Sequence, residues 1–307
     1  MLPLMAICVL LVGAVDPERE QIDYFLKYQH ANGCVRDRAS CPNVFSCAAA
    51  GFAMDVYAIA GQKHVISRQD AIKRIKRVLE FYDRVPQNRG WLYHFHDADG
   101  KAIFTKEVSS VDTALFYHGA RQATQRLQEA TLIQRVENSI GKIDRQWMID
   151  NSPSKKLFCH GLANGKFLPY EWDDYNEGAL VYSLFGMNFI PRKITYDLPL
   201  FAYYFPLCYM QDKRAEEHLR NAIEYQKGRF GYYGVTSCDT REGYCFYPTE
   251  YISPIALYSV EPFYPDANNR YRLPLAEAVH VSSGWQSTDE IGIDVGAAIE
   301  LRNPPHR

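Results

Sequence analysis

Apolar residues recur at helical spacing along most of the chain, in segments of ten to twenty residues parted by Gly-, Pro- and Asp-rich connections. Residues 17–29 open the series, with Ile22, Phe25 and Leu26 on one side. Residues 43–60 are almost wholly apolar and rich in alanine, the pattern of a helix surrounded by other helices. Residues 67–85 differ: Ile72, Ile75, Val78, Leu79 and Tyr82 form one stripe, and Arg68, Lys73, Arg74, Lys76 and Arg77 cover the remainder. That is a helix with one face in water. Residues 109–126 are again apolar and 129–148 amphipathic, and the alternation continues through 174–186, the charged 213–227 and a shorter helix at 273–281.

Buried helices alternating with solvent-facing ones predict an all-α fold in which an inner ring is covered by an outer one, an α/α toroid. No motif recurs at a fixed period, which sets a stacked solenoid behind the toroid. Strand-like content is confined to 91–96 and 230–235, expected as short β-hairpins at loop ends.

Residues 1–15 are an apolar run ending at Asp16, read as a signal-peptide core and too short to span a bilayer. The expectation is a secreted or periplasmic protein with a single domain over 16–307. Cys34 and Cys41 flank one polar loop, and Cys238 and Cys245 another, so each pair is placed to close a local disulfide. Cys47, Cys159 and Cys208 stand in apolar company as buried thiols. Neither loop pair has histidines at zinc-ligand spacing, and no metal is expected.

Charge and composition narrow the ligand. A formal net charge of −2 gives no polycationic surface for nucleic acid. The chain has no glycine-rich phosphate loop and no Walker lysine, so no organic cofactor is expected. Tyrosine outnumbers phenylalanine, 22 to 16, and a tyrosine offers both a flat apolar face and a hydrogen-bonding tip, which suits sugar rings as well as a helical core.

Two clusters carry the chemistry. One is Gly90-Trp91-Leu92-Tyr93-His94-Phe95 followed by Glu107-Val108-Ser109-Ser110-Val111-Asp112-Thr113-Ala114-Leu115. The other is Trp172-Asp173-Asp174-Tyr175-Asn176-Glu177-Gly178-Ala179-Leu180-Val181-Tyr182, a carboxylate-rich aromatic loop running into a helix. Asp174 to Glu177 and Ser109 to Asp112 also have the form of capping boxes, so on the residues alone each acid is a helix cap or a catalyst.

At these residues the chain resembles the bacterial glucoamylase-like family, which includes relatives of the endo-β-1,2-glucanases and domains of cyclic β-1,2-glucan synthases. Tyr175-Asn176-Glu177-Gly178-Ala179-Leu180 is the most specific element, and Val111-Asp112-Thr113-Ala114 supports it. The likeness extends through Val35-Arg36-Asp37-Arg38, Ala50-Gly51-Phe52 and Ser67-Arg68-Gln69-Asp70-Ala71 to Gly292-Ile293-Asp294-Val295-Gly296, most of 33–303. After Pro199-Leu200-Phe201 the chain departs from the family, with an aromatic segment at 202–209 where relatives carry His and Trp.

The resemblance implies an (α/α)6 toroid, hydrolysis of a polysaccharide or oligosaccharide, and catalytic or substrate roles for Asp112 and Glu177. Glu177 is the expected proton donor, with Trp172, Tyr175 and Tyr170 desolvating it, and Asp112 the expected base, its pKa depressed by a helix N-terminus. Substrate contacts are expected from Trp91, His94, Glu107, Trp172, Asp173, Tyr175, Arg36 and Asp294, with Trp285 a further stacking candidate. The expected state is a monomer. Two other classes stay open: a non-catalytic glycan-binding protein on the same toroid, and a structural protein whose cleft is filled.

Overall fold

The computed structural model describes residues 17–264, apart from 39, 211, 241–242, 250, 254–255, 257–259 and 261–262, together with Val279–His280. The apolar segment 1–15, Trp285 and Asp294 lie outside the described residues.

The described part of the chain opens with α1 (Pro17–Tyr28) and enters α2 (Cys47–Gln62) through the two-residue strand β1 (Phe45–Ser46). The Ser46 side chain accepts from Ala49 N and starts α2 there, four residues later than the apolar pattern alone suggested. α2 is buried from Cys47 to Gly61, and the basic face of α3 (Arg68–Arg84) lies outside it. α4 (Ser110–Arg126) crosses α2 with backbones almost touching. A Cβ on Gly119 would come within 2.0 Å of Gly51 O, and one on Gly51 within 2.5 Å of Leu115 O. The small residues of α2 therefore permit a contact that larger side chains would hold apart. We expect Gly119→Ala to cost about 1–3 kcal/mol through forced backbone displacement, a fall of several degrees in a thermal melt; an unchanged melt would mean the helices separate freely.

The segment expected as one helix at 129–148 is two, α5 (Ala130–Ile140) and α6 (Arg145–Asp150). α5 stops at Gly141, and Asp144 begins α6 by accepting from Trp147 N. The helix expected from 174 is shorter, α7 (Ala179–Leu184), with Gly178 at its N-cap. The Asp174–Glu177 capping box does not form: both Asp174 carboxylate oxygens accept from Thr195 N at 3.1 Å, and the Thr195 hydroxyl donates to one of them. α8 (Leu200–Tyr209) occupies the aromatic segment, and α9 (Lys213–Phe230) runs through to where a hairpin at 230–235 was expected.

α2 packs on α3 and α4, α4 on α5 and α7, and α8 on α7 and α9. The Phe52 ring meets Phe205 and Tyr209 at 5.1 and 6.1 Å, which brings α8 back against α2. Helices α2, α4, α7 and α8 thus form an inner group, covered by α3, α5 and α9. This mostly helical layering, with small antiparallel ladders at the loop ends, is compatible with an α/α toroid.

Those ladders are short. β2 (Gln87–Asn88) pairs with β3 (Trp91–Leu92), and β1 with β4 (Phe95–His96). β5 (Val108–Ser109), β6 (Gly161–Ala163) and β7 (Lys166–Phe167) form a three-stranded sheet. β8 (Cys238–Thr240) and β9 (Gly243–Cys245) make a hairpin, and β10 (Tyr251–Ile252) pairs with β11 (Val279–His280), where a helix at 273–281 was expected.

The described cysteines are thiols. Cys238 and Cys245 stand opposite one another in the β8–β9 ladder, the register the expected disulfide needs, while Cys34 is buried in the core and Cys41 is partly exposed. Among the described residues no helix is long and apolar enough to cross a membrane.

Candidate active site

The start of α4 is rigidly placed. Ser109 Oγ accepts from Asp112 N at 3.2 Å, so the second expected capping interaction does form. Thr113 Oγ1 donates to Ser109 O at 2.6 Å and accepts from Leu92 N at 3.0 Å, fastening this turn to β3. Two residues past β3, His94 N donates to Glu107 O at 2.8 Å and His94 O accepts from Cys47 N at 3.2 Å. The imidazole is thereby set between the start of α2 and the strand leading into α4.

Glu177 arrives from the other side, on the turn before α7. Asn176 Oδ1 accepts from Gly178 N at 2.9 Å, and Gly178 lies flat on Trp172, where a Cβ would come within 2.4 Å of the indole. Trp172 Nε1 in turn donates to Ser110 Oγ at 2.8 Å, at the first residue of α4. One indole therefore braces both turns that carry the acids.

Asp112 and Glu177 open onto one cleft of about 430 Å³, within the usual range for a ligand site. Asp37, Glu107 and Asp239 add carboxylates to it, and Arg38 and His94 add cations. Phe52, Val111 and Leu115 from α2 and α4, Phe201 and Phe205 from α8, and Phe95, Tyr244 and Phe246 supply apolar wall. Phe201 and Phe205 are spaced i,i+4, so α8 turns one aromatic stripe into the cleft. The departure at 202–209 thus changes the wall of this site.

The two acids have different environments. The half-buried Glu177 carboxyl has no ion-pair partner among the described residues; burial, reinforced by the charge of Asp112, pushes its pKa up to about 8. Burial also raises Asp112, although the His94 imidazole and the Ser109 hydroxyl oppose it. The expected depression at a helix N-terminus is outweighed, because a carboxylate shut off from water loses more than the first turn returns. Glu107 is lowered, chiefly by its interaction with His94.

A second group joins residues 37–40 to the β8–β9 hairpin at the cleft. Ser40 Oγ donates to Asp239 Oδ1 at 2.7 Å, Arg38 Nε donates to Asp37 Oδ2 at 2.7 Å, and the Arg38 guanidinium lies 3.7 Å over the Tyr244 ring. Burial raises the pKa of Asp239. Asp37, Arg38, Asp239, Tyr244 and the α8 phenylalanines were not singled out as site residues from sequence. The Arg36-Asp37-Arg38 run and the aromatic segment at 202–209 were the signals for them.

Of the residues expected at the site, Asp112, Glu177, His94 and Glu107 line the cleft together. The other described ones lie elsewhere. Trp91 is fully buried, its Nε1 donating to Asp144 O at 2.9 Å and its ring packed on Phe158 and Phe185, so it presents no face to a sugar. Trp172 stacks on His160 at 3.6 Å and acts as the brace described above. Tyr175 is buried against His218, its hydroxyl donating to Asp212 at 3.0 Å. Asp173 pairs with Lys193 at 3.1 Å, and the Arg36 guanidinium lies 4.5 Å over Tyr28. Tyr170 is exposed and does not line the cleft. Desolvation of Glu177 comes instead in a cleft walled by α2, α4 and α8.

No family model matches the chain, and no curated protein matches it. Solved structures do. A β-1,2-glucanase from Parabacteroides distasonis aligns with a TM-score of 0.74 at 14% identity, over 93% of this chain and 56% of that one. A candidate glucoamylase from Bacteroides uniformis gives 0.73 at 15% identity, over 92% and 89%. The endo-β-1,2-glucanase of Chitinophaga pinensis, solved with sophorotriose and glucose, gives 0.69 at 15% identity, over 92% and 90%. The chain has the glucoamylase-like fold. On this fold, both motifs that carry the sequence resemblance place their acids on the same cleft.

Proposed function

We propose that this protein is a glycoside hydrolase acting on a glucan polysaccharide or oligosaccharide, with Glu177 as general acid and Asp112 as general base. The observation that carries the proposal is the pairing of these two carboxyls on one aromatic-walled cleft, where burial raises both and the His94 imidazole and the Ser109 hydroxyl hold Asp112 back. Glu177 holds its proton through neutral pH, as a donor to a departing glycosidic oxygen must. Asp112 has a cationic neighbour, His94, at 3.4 Å, which favours the charged form that a base requires.

In this reading an oligosaccharide lies along the cleft against Phe201, Phe205 and Tyr244. Glu177 protonates the scissile oxygen from one side while Asp112 takes a proton from the water attacking the anomeric carbon on the other. That single displacement inverts configuration, and inverting acids stand about 6.5–9.5 Å apart to admit the water. The remainder of the proposal is an (α/α)6 toroid forming one domain over 16–307, exported from the cytoplasm and acting as a monomer.

Release of reducing ends from β-1,2-, β-1,3- and α-linked glucans tests the activity. Inactivity on the whole panel, with calorimetric binding retained, would make the protein a glycan-binding one. The open cleft speaks against a merely structural role. Proton NMR of the first product should show the anomer opposite to the substrate linkage; retention, or a trapped glycosyl-enzyme, would overturn the inverting mechanism.

A further inference from the structure

We propose that His94 is a positioning residue: as an imidazolium clamped between Asp112 and Glu107, it keeps Asp112 ionised and aimed into the cleft. The inference rests on the proposed hydrolase and assigns His94 a role other than contact with sugar.

The geometry is specific. His94 Nδ1 lies 3.4 Å from Asp112 Oδ2 and 3.6 Å from Glu107 Oε2. It is cut off from solvent and makes no hydrogen bond among the described residues. Carboxylates only accept, so a nitrogen facing two of them carries a proton, and the second negative charge favours the cationic ring. Both separations exceed those of well-formed hydrogen bonds, so the clamp is ionic and tightens with a shift of a few tenths of an ångström. The backbone on which the ring stands is held by Glu107 O on one side and Cys47 N on the other, and the ring itself stacks on Phe95 at 3.7 Å.

The charged and titratable groups around this clamp act in a consistent direction. Burial pulls the imidazole towards neutrality, but Asp112, Glu107 and Asp37 outweigh it and lift His94 to about 9. Asp112 faces His94, Glu107 and Asp37, with the Cys47 thiol and the Tyr82 hydroxyl behind it. Glu107 also faces His160, which burial holds neutral, down at about 4. Glu177 faces Asp112 and His94. Among these groups His94 is the cation that acts on Asp112, and its loss leaves a buried carboxylate beside Glu107 and Asp37.

The test is the pH dependence of kcat/KM in His94→Gln and His94→Arg, read beside the wild type. Asp112 must be ionised to act as a base, so removing its cation should move the acid limb up by about 1–3 pH units in His94→Gln. KM should stay within about twofold, and His94→Arg should restore part of the acid limb. An unmoved limb with a raised KM would make His94 a sugar contact and overturn the clamp.

Nitrogen-15 NMR of the wild-type imidazole supplies a readout that does not depend on turnover. A cationic His94 at pH 7, becoming neutral in Asp112→Asn, is expected. A neutral ring in the wild type overturns the clamp even if the protein hydrolyses glucans. A cationic ring in a protein inactive on every glucan overturns the hydrolase and leaves the clamp standing.

Discussion

Glu177→Gln should lower kcat on a cleaved glucan by about 10²–10⁴-fold, the usual share of a positioned proton donor, with KM nearly unchanged. Glutamine keeps the volume and cannot release a proton to the leaving oxygen. The fold should survive, because the Glu177 carboxyl caps no helix: Gly178 is the N-cap of α7, and the turn is held by the Asn176 side chain and by Trp172. Initial rates, with circular dichroism to check the helices, decide it. A variant retaining more than about a tenth of wild-type turnover would show that another group donates the proton.

Loss of Trp172 would act differently, although it lies in the same motif. Its indole supports Gly178 and donates to Ser110, so both acid-bearing turns depend on it without its touching the cleft. The motif around Glu177 is therefore partly chemistry and partly scaffold, a division that spacing alone does not reveal. Trp172, Tyr175 and Glu177 are within six positions of one another, yet only Glu177 reaches the cleft.

Much of the architecture was legible in the chain because periodicity reports directly on burial. The stripe from Ile72 to Tyr82 is the buried face of α3, and the alanine-rich run before it is α2, enclosed along its length. α8 escaped for the opposite reason: Leu200 to Tyr209 is apolar on every side and contains Pro206, so it shows no stripe. The Asp174 box failed through competition, since Thr195, twenty-one positions on, offers its backbone and hydroxyl to the same carboxylate.

The site was legible to the extent that its residues were local. Asp112, Glu107 and His94 fall within one short stretch, and the turn of Glu177 is a motif of its own. Asp239 meets Ser40 across 199 positions, and Phe201 and Phe205 reach the cleft because α8 returns to α2. Contacts of that range are tertiary facts with no signature in either segment. The direction of the Asp112 shift was misjudged similarly, because a first-turn position was visible in the sequence and enclosure by the cleft was not.

The same burial that arms Glu177 should make the protein less stable in alkali, and Glu177→Gln should relieve this. The carboxyl titrates near its ordinary 4.5 when unfolded and at about 8 when folded, so the folded state binds the extra proton between those values. Stability contributed by this group is complete below about 4.5, falls as pH rises through the interval, and is lost above about 8. Each unit is worth about 1.36 kcal/mol, which sets an upper limit near 5 kcal/mol, and the partial exposure of Glu177 reduces this to about 2–3 kcal/mol. Glutamine carries no such proton. The melting temperature of Glu177→Gln minus that of the wild type should therefore be close to flat below pH 4.5 and rise by about 4–12 °C to a plateau above pH 8. A difference that stays constant from pH 4 to 9 would mean that Glu177 titrates as an ordinary carboxyl, and it would remove the physical basis for its role as the acid. If the difference rises as expected while catalysis disappears, the strained proton and the catalytic proton are the same one, and activity here is obtained at the expense of alkaline stability.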